Sequence, residues 1–214
     1  MAEYIAGFLS KGYIKTGAQT PEGGCSTIAS NGLFCRNFDW NSKSHYAIIK
    51  TYPDDGSTEV TDTYKADLTI VAAIRLLLDY AKDTEEAIKL LSGYDIFPSV
   101  NAAHHLAISD INNHNVVVEW KNGQMRVTET DIVTNHCLAE PLESPMTGES
   151  YRRFAKLVEM HSGFTSQDEG LQSLKDASYE EETLWSVIYD KEKLSSTIYF
   201  DRKWDEPLSF SITD

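Results

Sequence analysis

Gly24-Cys25-Ser26-Thr27-Ile28-Ala29-Ser30-Asn31-Gly32-Leu33-Phe34-Cys35-Arg36-Asn37-Phe38-Asp39-Trp40 is the stretch around which the rest of the chain is organised. Two strand-like runs flank Asn31-Gly32, a dipeptide that favours a two-residue type I′ loop, so the stretch predicts a β-hairpin. In that register Ser30 pairs with Leu33, Thr27 with Arg36 and Cys25 with Phe38. Side chains alternate faces and opposite residues share one, which puts Cys25, Thr27, Arg36 and Phe38 together. Arg36 is then a diagonal neighbour of Cys25, where a cation favours the thiolate. Asp39 falls at the strand end, beside Gly24 and the main-chain nitrogen of Cys25. Cys35 points to the other face.

A cysteine thiol ordinarily titrates at about 8.5 and an α-amino group at about 7.7 to 8.0. A cysteine at the start of a chain can therefore supply both nucleophile and base, its own amine taking the thiol proton near neutrality. An Asp beside that amine would orient it and stabilise its protonated form. The residues alone also allow a structural reading, in which Cys25 is a small buried hydrophobe and Arg36 and Asp39 form a hairpin ion pair.

The chain has 214 residues, which suits a single domain with a core of its own, and 41% hydrophobic with 24% charged residues is ordinary for a soluble protein. Thirty-three acidic against 19 basic residues leave a net charge of -14, which argues against nucleic acid and against anionic membranes as partners. Three cysteines without regular spacing make no disulfide framework, so a reduced, cytoplasmic setting is expected. The N-terminus lacks a basic region and a long apolar run, so neither a signal peptide nor a membrane span is expected.

Outward from the hairpin, residues 3–9 read as a short helix and residues 16–24 as a Gly-, Pro- and Thr-rich linker. Residues 44–52 read as a third strand. Residues 67–82 read as a helix with Asp67 as N-cap and Leu68, Val71, Ile74, Leu77 and Leu78 on one face. Asp83 and Glu86 begin a second helix that stops at Gly93. Residues 104–110 and 115–120 form a second hairpin, and a third strand covers residues 125–130. Helices follow from Glu149 and over residues 167–177. Residues 183–190 and 195–201 make a further hairpin, and residues 207–212 a last strand. Adjacent helices between strand regions point to an α+β domain.

His104 and His105 are neighbours on a strand and point to opposite faces, and neither an HExxH pattern nor a Cys pair supports them. No metal and no cofactor are expected. Asn135, after Ile132-Val133-Thr134, by itself suits a plain turn after a strand.

Gly-Cys-Ser, a short turn and Arg-Asn-x-Asp-Trp resemble the start of the linear amide C–N hydrolases, the choloylglycine hydrolase and penicillin V acylase relatives among the N-terminal nucleophile (Ntn) hydrolases. The resemblance extends over residues 24–212 with one internal gap, and includes Val-Thr-Asn at 133–135 and Thr-Leu-Trp-Ser-Val-Ile-Tyr-Asp at 183–190. It implies an αββα sandwich of two antiparallel sheets between helix layers, here shortened. By position it implies Cys25 as nucleophile, Arg36 and Asp39 as its supports, and Asn135 in the oxyanion hole. The match to a Ser-x-x-Arg-Phe helix start gives Arg153 before Phe154 as the arginine reaching the nucleophile. Neighbours on a helix lie about 100° apart, so either Arg152 or Arg153, not both, can face the site.

The resemblance further implies autocatalytic cleavage of Gly24-Cys25. Residues 1–24 are then a propeptide, or otherwise an N-terminal arm, and residues 25–214 the Ntn domain. The expected activity is hydrolysis of a non-peptide linear amide in a small-molecule substrate; a homo-oligomer stays open. Relatives continue after the third strand through a longer stretch built around Asn-Glu-x-Gly-Leu, whereas only residues 58–66 intervene here. That difference motivates an alternative, a shortened, inactive relative serving as an interaction or assembly module. A second rival is an internal Cys nucleophile with His104, His105 or His136 as base.

Overall fold

The computed structural model describes residues 24–39, 65–97, 104–121, 123–141, 146–160, 163–179 and 182–211. Within them the chain runs β1 (Gly24–Ser30), β2 (Leu33–Asp39), β3 (Ala66–Thr69), α1 (Ile70–Tyr80), α2 (Thr84–Leu91), β4 (Tyr94–Phe97) and β5 (Leu106–Ser109). It continues through β6 (Asn115–Lys121), β7 (Gln124–Glu129), β8 (Ile132–Val133), α3 (Glu149–Met160) and α4 (Gln167–Asp176). β9 (Thr183–Asp190), β10 (Ser195–Phe200) and β11 (Leu208–Ser211) end it.

The first hairpin has the expected register, with Cys25 opposite Phe38, Thr27 opposite Arg36 and Gly24 opposite Asp39. Asn31 (φ 43°) and Gly32 (φ 80°) both take left-handed backbone, as a type I′ turn requires. The turn is tied down: Ser30 Oγ and Asn31 Nδ2 donate to Phe164 O at 2.8 and 2.9 Å, and Gly32 N donates to Asn113 Oδ1 at 2.9 Å.

β1 and β2 lie inside a six-stranded antiparallel sheet of order β11-β10-β9-β2-β1-β8, with β5-β6-β7 forming a second, antiparallel sheet. Ile28, Cys35 and Ile188 on one face of the large sheet pack with Phe154 and Leu157 of α3 and Leu174 of α4. The central strand of the second sheet is buried on both faces: Val117 joins that same core, while Val116 and Val118 join Ile70 and Ala73 of α1 and Leu91 of α2. The layers are therefore helix, sheet, sheet, helix, the expected αββα arrangement.

The stretch 67–82 is a correction. Residues 66–69 are extended and pair in parallel with β4, Leu68 opposite Ile96, so helix α1 begins only at Ile70. Thr69 rather than Asp67 is the N-cap, its hydroxyl accepting from Ala72 N at 3.2 Å. That start sets the helix phase, so Ile70 and Ala73 are buried while Val71, Ile74 and Leu78 are 46%, 43% and 76% exposed. The segment is apolar on several sides, and its periodicity could not choose among them. The parallel β3–β4 pair was not expected either. The second expected start is present: Asp83 accepts from Glu86 N at 2.9 Å, although Glu86 returns its bond to Lys82 N rather than to Asp83. The strand expected over 44–52, the helix over 3–9 and most of the linker lie outside the described residues.

Gly170 of α4 sits over Cys35, and a Cβ there would lie 3.0 Å from Sγ in a site where Cys35 is fully buried. Gly170→Val should cost about 1 to 3 kcal/mol by overpacking this contact, read as a lower urea midpoint with unchanged slope.

Candidate active site

Cys25, the second residue of β1, is partly exposed on the sheet face opposite the α3–α4 core. Arg36 reaches it diagonally across the hairpin, Nη2 donating to Sγ at 3.5 Å. The guanidinium also lies 5.5 Å over the Trp185 ring, and Trp185 stacks on Phe38 at 5.1 Å between centroids. The β2–β9 register thus supplies a flat aromatic support that holds a positive charge against the sulfur.

A bulge in that register sets Asp39. Phe38 pairs with Trp185, but Asp39 pairs with Thr183, skipping Leu184. Bulges re-aim side chains beside active sites. Here the consequence is a 2.6 Å hydrogen bond from Thr183 Oγ1 to Asp39 Oδ1, with both residues buried. The other carboxylate oxygen, Oδ2, accepts from Arg153 Nη1 at 3.2 Å.

Arg153 links the site. It stands on the first turns of α3 and is 1% exposed. Its Nη1 also donates to Cys25 O at 2.9 Å, and its Nη2 donates to Asn135 Oδ1 at 2.6 Å. Tyr179 lies under it, the ring 5.7 Å from Cζ. Of the two neighbouring arginines, Arg153 is the one whose guanidinium bonds to Cys25 O, Asp39 and Asn135. Arg152 turns away to Glu149, with Nε to Oε2 at 2.6 Å, and to Ser178 O at 3.4 Å.

Burial pushes the Asp39 carboxyl up to about 6, against the lowering pull of Arg153 and the Thr183 hydroxyl. The same burial pulls the Arg153 guanidinium below its ordinary range. Both shifts have one cause: desolvation works against each charge more than the partner repays.

Asn135 follows β8 and is exposed. Because its Oδ1 accepts from Arg153, its Nδ2 is turned the other way, so the donor end of the amide is the one presented. All five sequence-derived candidates therefore meet: Cys25, Arg36, Asp39, Asn135 and Arg153. Thr183, Trp185 and Tyr179 were missed as site residues. The β9 run that holds Thr183 and Trp185 reads as an ordinary strand, and its bulge leaves no mark in composition.

His105 and His136 have partners of their own. His105 Nδ1 lies 3.0 Å from Glu119 Oε1, as expected of a paired, partly buried histidine. The His136 ring stacks on Tyr151 at 4.4 Å, its Nδ1 faces Ser150 Oγ at 2.9 Å, and burial pushes its pKa down to about 4. Among the described residues no group of three or more His, Cys, Asp or Glu side chains could hold a metal ion. Among them, too, no helix is long and apolar enough to cross a membrane.

A family model described as acyl-coenzyme A:6-aminopenicillanic acid acyl-transferase matches residues 57–204, a span holding Asn135, Arg153 and Thr183. A search of curated proteins finds no match. Among solved structures, penicillin V acylase from Agrobacterium tumefaciens is 15% identical, covering 92% of this chain and 72% of its own at a TM-score of 0.56. A variant of conjugated bile acid hydrolase from Clostridium perfringens is 13% identical, covering 85% of this chain and 70% of its own at a TM-score of 0.53. At such identities the likeness speaks for the fold, which is of the Ntn-hydrolase type. The hairpin lies outside the span of the family model.

Arg153→Met should leave the Asp39 carboxylate buried without its cation and cost about 3 to 5 kcal/mol at pH 8. Removing a cation that lowers the Asp39 pKa raises that pKa further, so protonation relieves the penalty and the deficit should shrink at pH 5. Arg152→Ala should stay within about 1 kcal/mol of wild type. Denaturant unfolding at the two pH values checks all three.

Proposed function

The chain belongs to the acyl-coenzyme A:6-aminopenicillanic acid acyl-transferase family, and on that premise we propose that it is an Ntn-type amidohydrolase with Cys25 as its nucleophile. The substrate is a small molecule with a non-peptide linear amide, and the nucleophile is freed by self-cleavage of the Gly24-Cys25 bond. The observation that supports this best is the single buried guanidinium of Arg153, which bonds at once to Cys25 O, Asp39 and Asn135. A structural ion pair would need only the carboxylate; the other two bonds fix a thiol-bearing residue and an amide donor relative to each other.

In the reaction, the Cys25 sulfur attacks the amide carbonyl and its proton passes to the Cys25 α-amine. The new C–S bond forms as the carbonyl π pair moves onto oxygen, where Asn135 Nδ2 donates to the developing charge. Collapse breaks the C–N bond, the leaving nitrogen takes the proton from the α-ammonium, and a thioester remains. Water, deprotonated by the same amine, attacks the thioester, and the thiol is returned. Asp39 lies opposite Gly24 in the ladder, and in this reading it holds the amine that cleavage frees. Arg36, braced on Trp185, holds its positive charge against the sulfur. No step calls for a cofactor.

Wild type should have the mass of a chain beginning at Cys25, whereas Cys25→Ala should keep residues 1–24; two full-length masses would sink the proposal. In the processed enzyme Asn135→Ala should lower kcat by about 10²- to 10³-fold, as loss of one oxyanion donor does. Asp39 must be ionised to hold the ammonium, and its carboxyl is protonated below about 6. The kcat/KM profile should therefore rise with pH through an acid limb between pH 4 and 8, to which the α-amine, neutral when it accepts the thiol proton, also contributes, and a flat profile over that range would contradict the roles given to both groups.

A further inference from the structure

The segment that presents Asn135 is held by a serine that the reaction as written leaves idle. Ser150, in the first turn of α3, accepts from Asn135 N and from His136 N, each at 2.9 Å. Its Oγ also lies 2.9 Å from Thr134 Oγ1 and from His136 Nδ1, and its carbonyl accepts from Thr134 Oγ1 at 3.0 Å. One hydroxyl thus receives two main-chain N–H groups, while its own proton has the neutral His136 nitrogen or the Thr134 oxygen to go to.

Ser150 and Arg153 are three residues apart and so share a face of α3. From that face Ser150 grips the Asn135 main chain, and Arg153 grips its side-chain oxygen at 2.6 Å. With both ends fixed, the remaining end of the amide, Nδ2, has one direction left. The far side of the segment is pinned as well, Glu119 accepting from Leu138 N at 3.0 Å and Ala139 N at 2.8 Å.

We infer that Ser150 is a positioning residue, which acts through Asn135 by holding its main chain so that Nδ2 meets the oxyanion. The inference rests on the acyl-transfer reading above. An oxyanion donor works within a narrow window, about 2.7 to 3.1 Å from where the charge develops, and a misplacement of about 1 Å can cost roughly 10²-fold. Without the Ser150 hydroxyl, two N–H groups must find water and the segment can drift by that much.

The test compares wild type, Ser150→Ala, Ser150→Thr, Asn135→Ala and the Ser150→Ala/Asn135→Ala double variant. Three rates are read: self-cleavage at Gly24-Cys25 by intact mass, turnover of an acyl p-nitroanilide, and iodoacetamide labelling of Cys25 in processed chains. Ser150→Ala should slow self-cleavage and lower kcat by about 10- to 100-fold, with KM within about threefold and labelling of Cys25 unchanged. Ser150→Thr, which keeps the hydroxyl, should recover most of the loss. In the Asn135→Ala background the serine change should cost nothing more, because the group it aims is gone. Losses that add in the double variant would overturn the inference, as would a Thr variant no better than Ala at equal melting temperature, or a parallel fall in labelling. Those outcomes leave the parent reading intact. A wild type that stays uncut, and labels at Cys25 no faster than at Cys137, overturns both.

Discussion

The structure depends on one buried cation. Arg153 is 1% exposed, yet its guanidinium joins the hairpin, the end of β8 and, through Asp39, the start of β9. No other side chain type could make this junction. A lysine ammonium could neutralise Asp39, but lacks the planar fork that sends one nitrogen to Asn135 and the other to Cys25 O and Asp39 together. The helix that carries Arg153 is fixed by apolar contacts of its neighbours, Phe154 and Leu157, which are 0% and 1% exposed. Packing of α3 against the large sheet therefore sets where the charge stands to within the tolerance of a hydrogen bond.

Such a junction is expensive. Burial raises the Asp39 carboxyl and lowers the Arg153 guanidinium, so the isolated pair gains less from attraction than it loses by leaving water. What offsets the cost is the number of hydrogen bonds made to the same two groups: Thr183 on Asp39, and Cys25 O and Asn135 on Arg153. A core built for stability alone would have apolar residues here, at no desolvation cost. A charged network that the fold must compensate from three separate segments is what an acyl-transfer site requires, because its thiol, amine and oxyanion donor all need fixed electrostatic neighbours.

Local sequence carried the hairpin in full. Asn31-Gly32 dictates the turn, the turn dictates the register, and the register places Arg36 diagonal to Cys25 and Asp39 beside Gly24. The family resemblance pointed to Asn135 and to the helix arginine, with two neighbours to choose from. Choosing Arg153 over Arg152 needed the phase of α3 against the sheet, a tertiary fact. The same limit explains α1, whose apolar residues lie on several sides and whose start at Ile70 follows from β3 pairing with β4, a contact between residues some thirty positions apart. Thr183 was out of reach for a third reason. Its place opposite Asp39 comes from a bulge that skips Leu184, and nothing in the β9 sequence announces an irregularity. Short-range turn chemistry is legible, while helix phase and bulges are settled only when layers meet.

The distribution of the site over the fold bears on the shortened middle of the chain. Cys25, Arg36 and Asp39 come from β1 and β2, Asn135 from the end of β8, Arg153 from α3 and Thr183 from β9. Every one of these elements belongs to the six-stranded sheet or to the helix layer behind it. β3, β4, α1 and α2 supply none of them; the three-stranded sheet enters only through Glu119, whose carboxylate pins the main chain just beyond Asn135. A chain that abbreviates the region between β2 and α1 therefore keeps Cys25, Arg153 and Asn135, the proposed nucleophile, its cation and its oxyanion donor, on one sheet-and-helix unit. What such abbreviation can alter is the wall around the acyl group, and with it the choice of substrate, because the groups that move electrons and protons are anchored elsewhere.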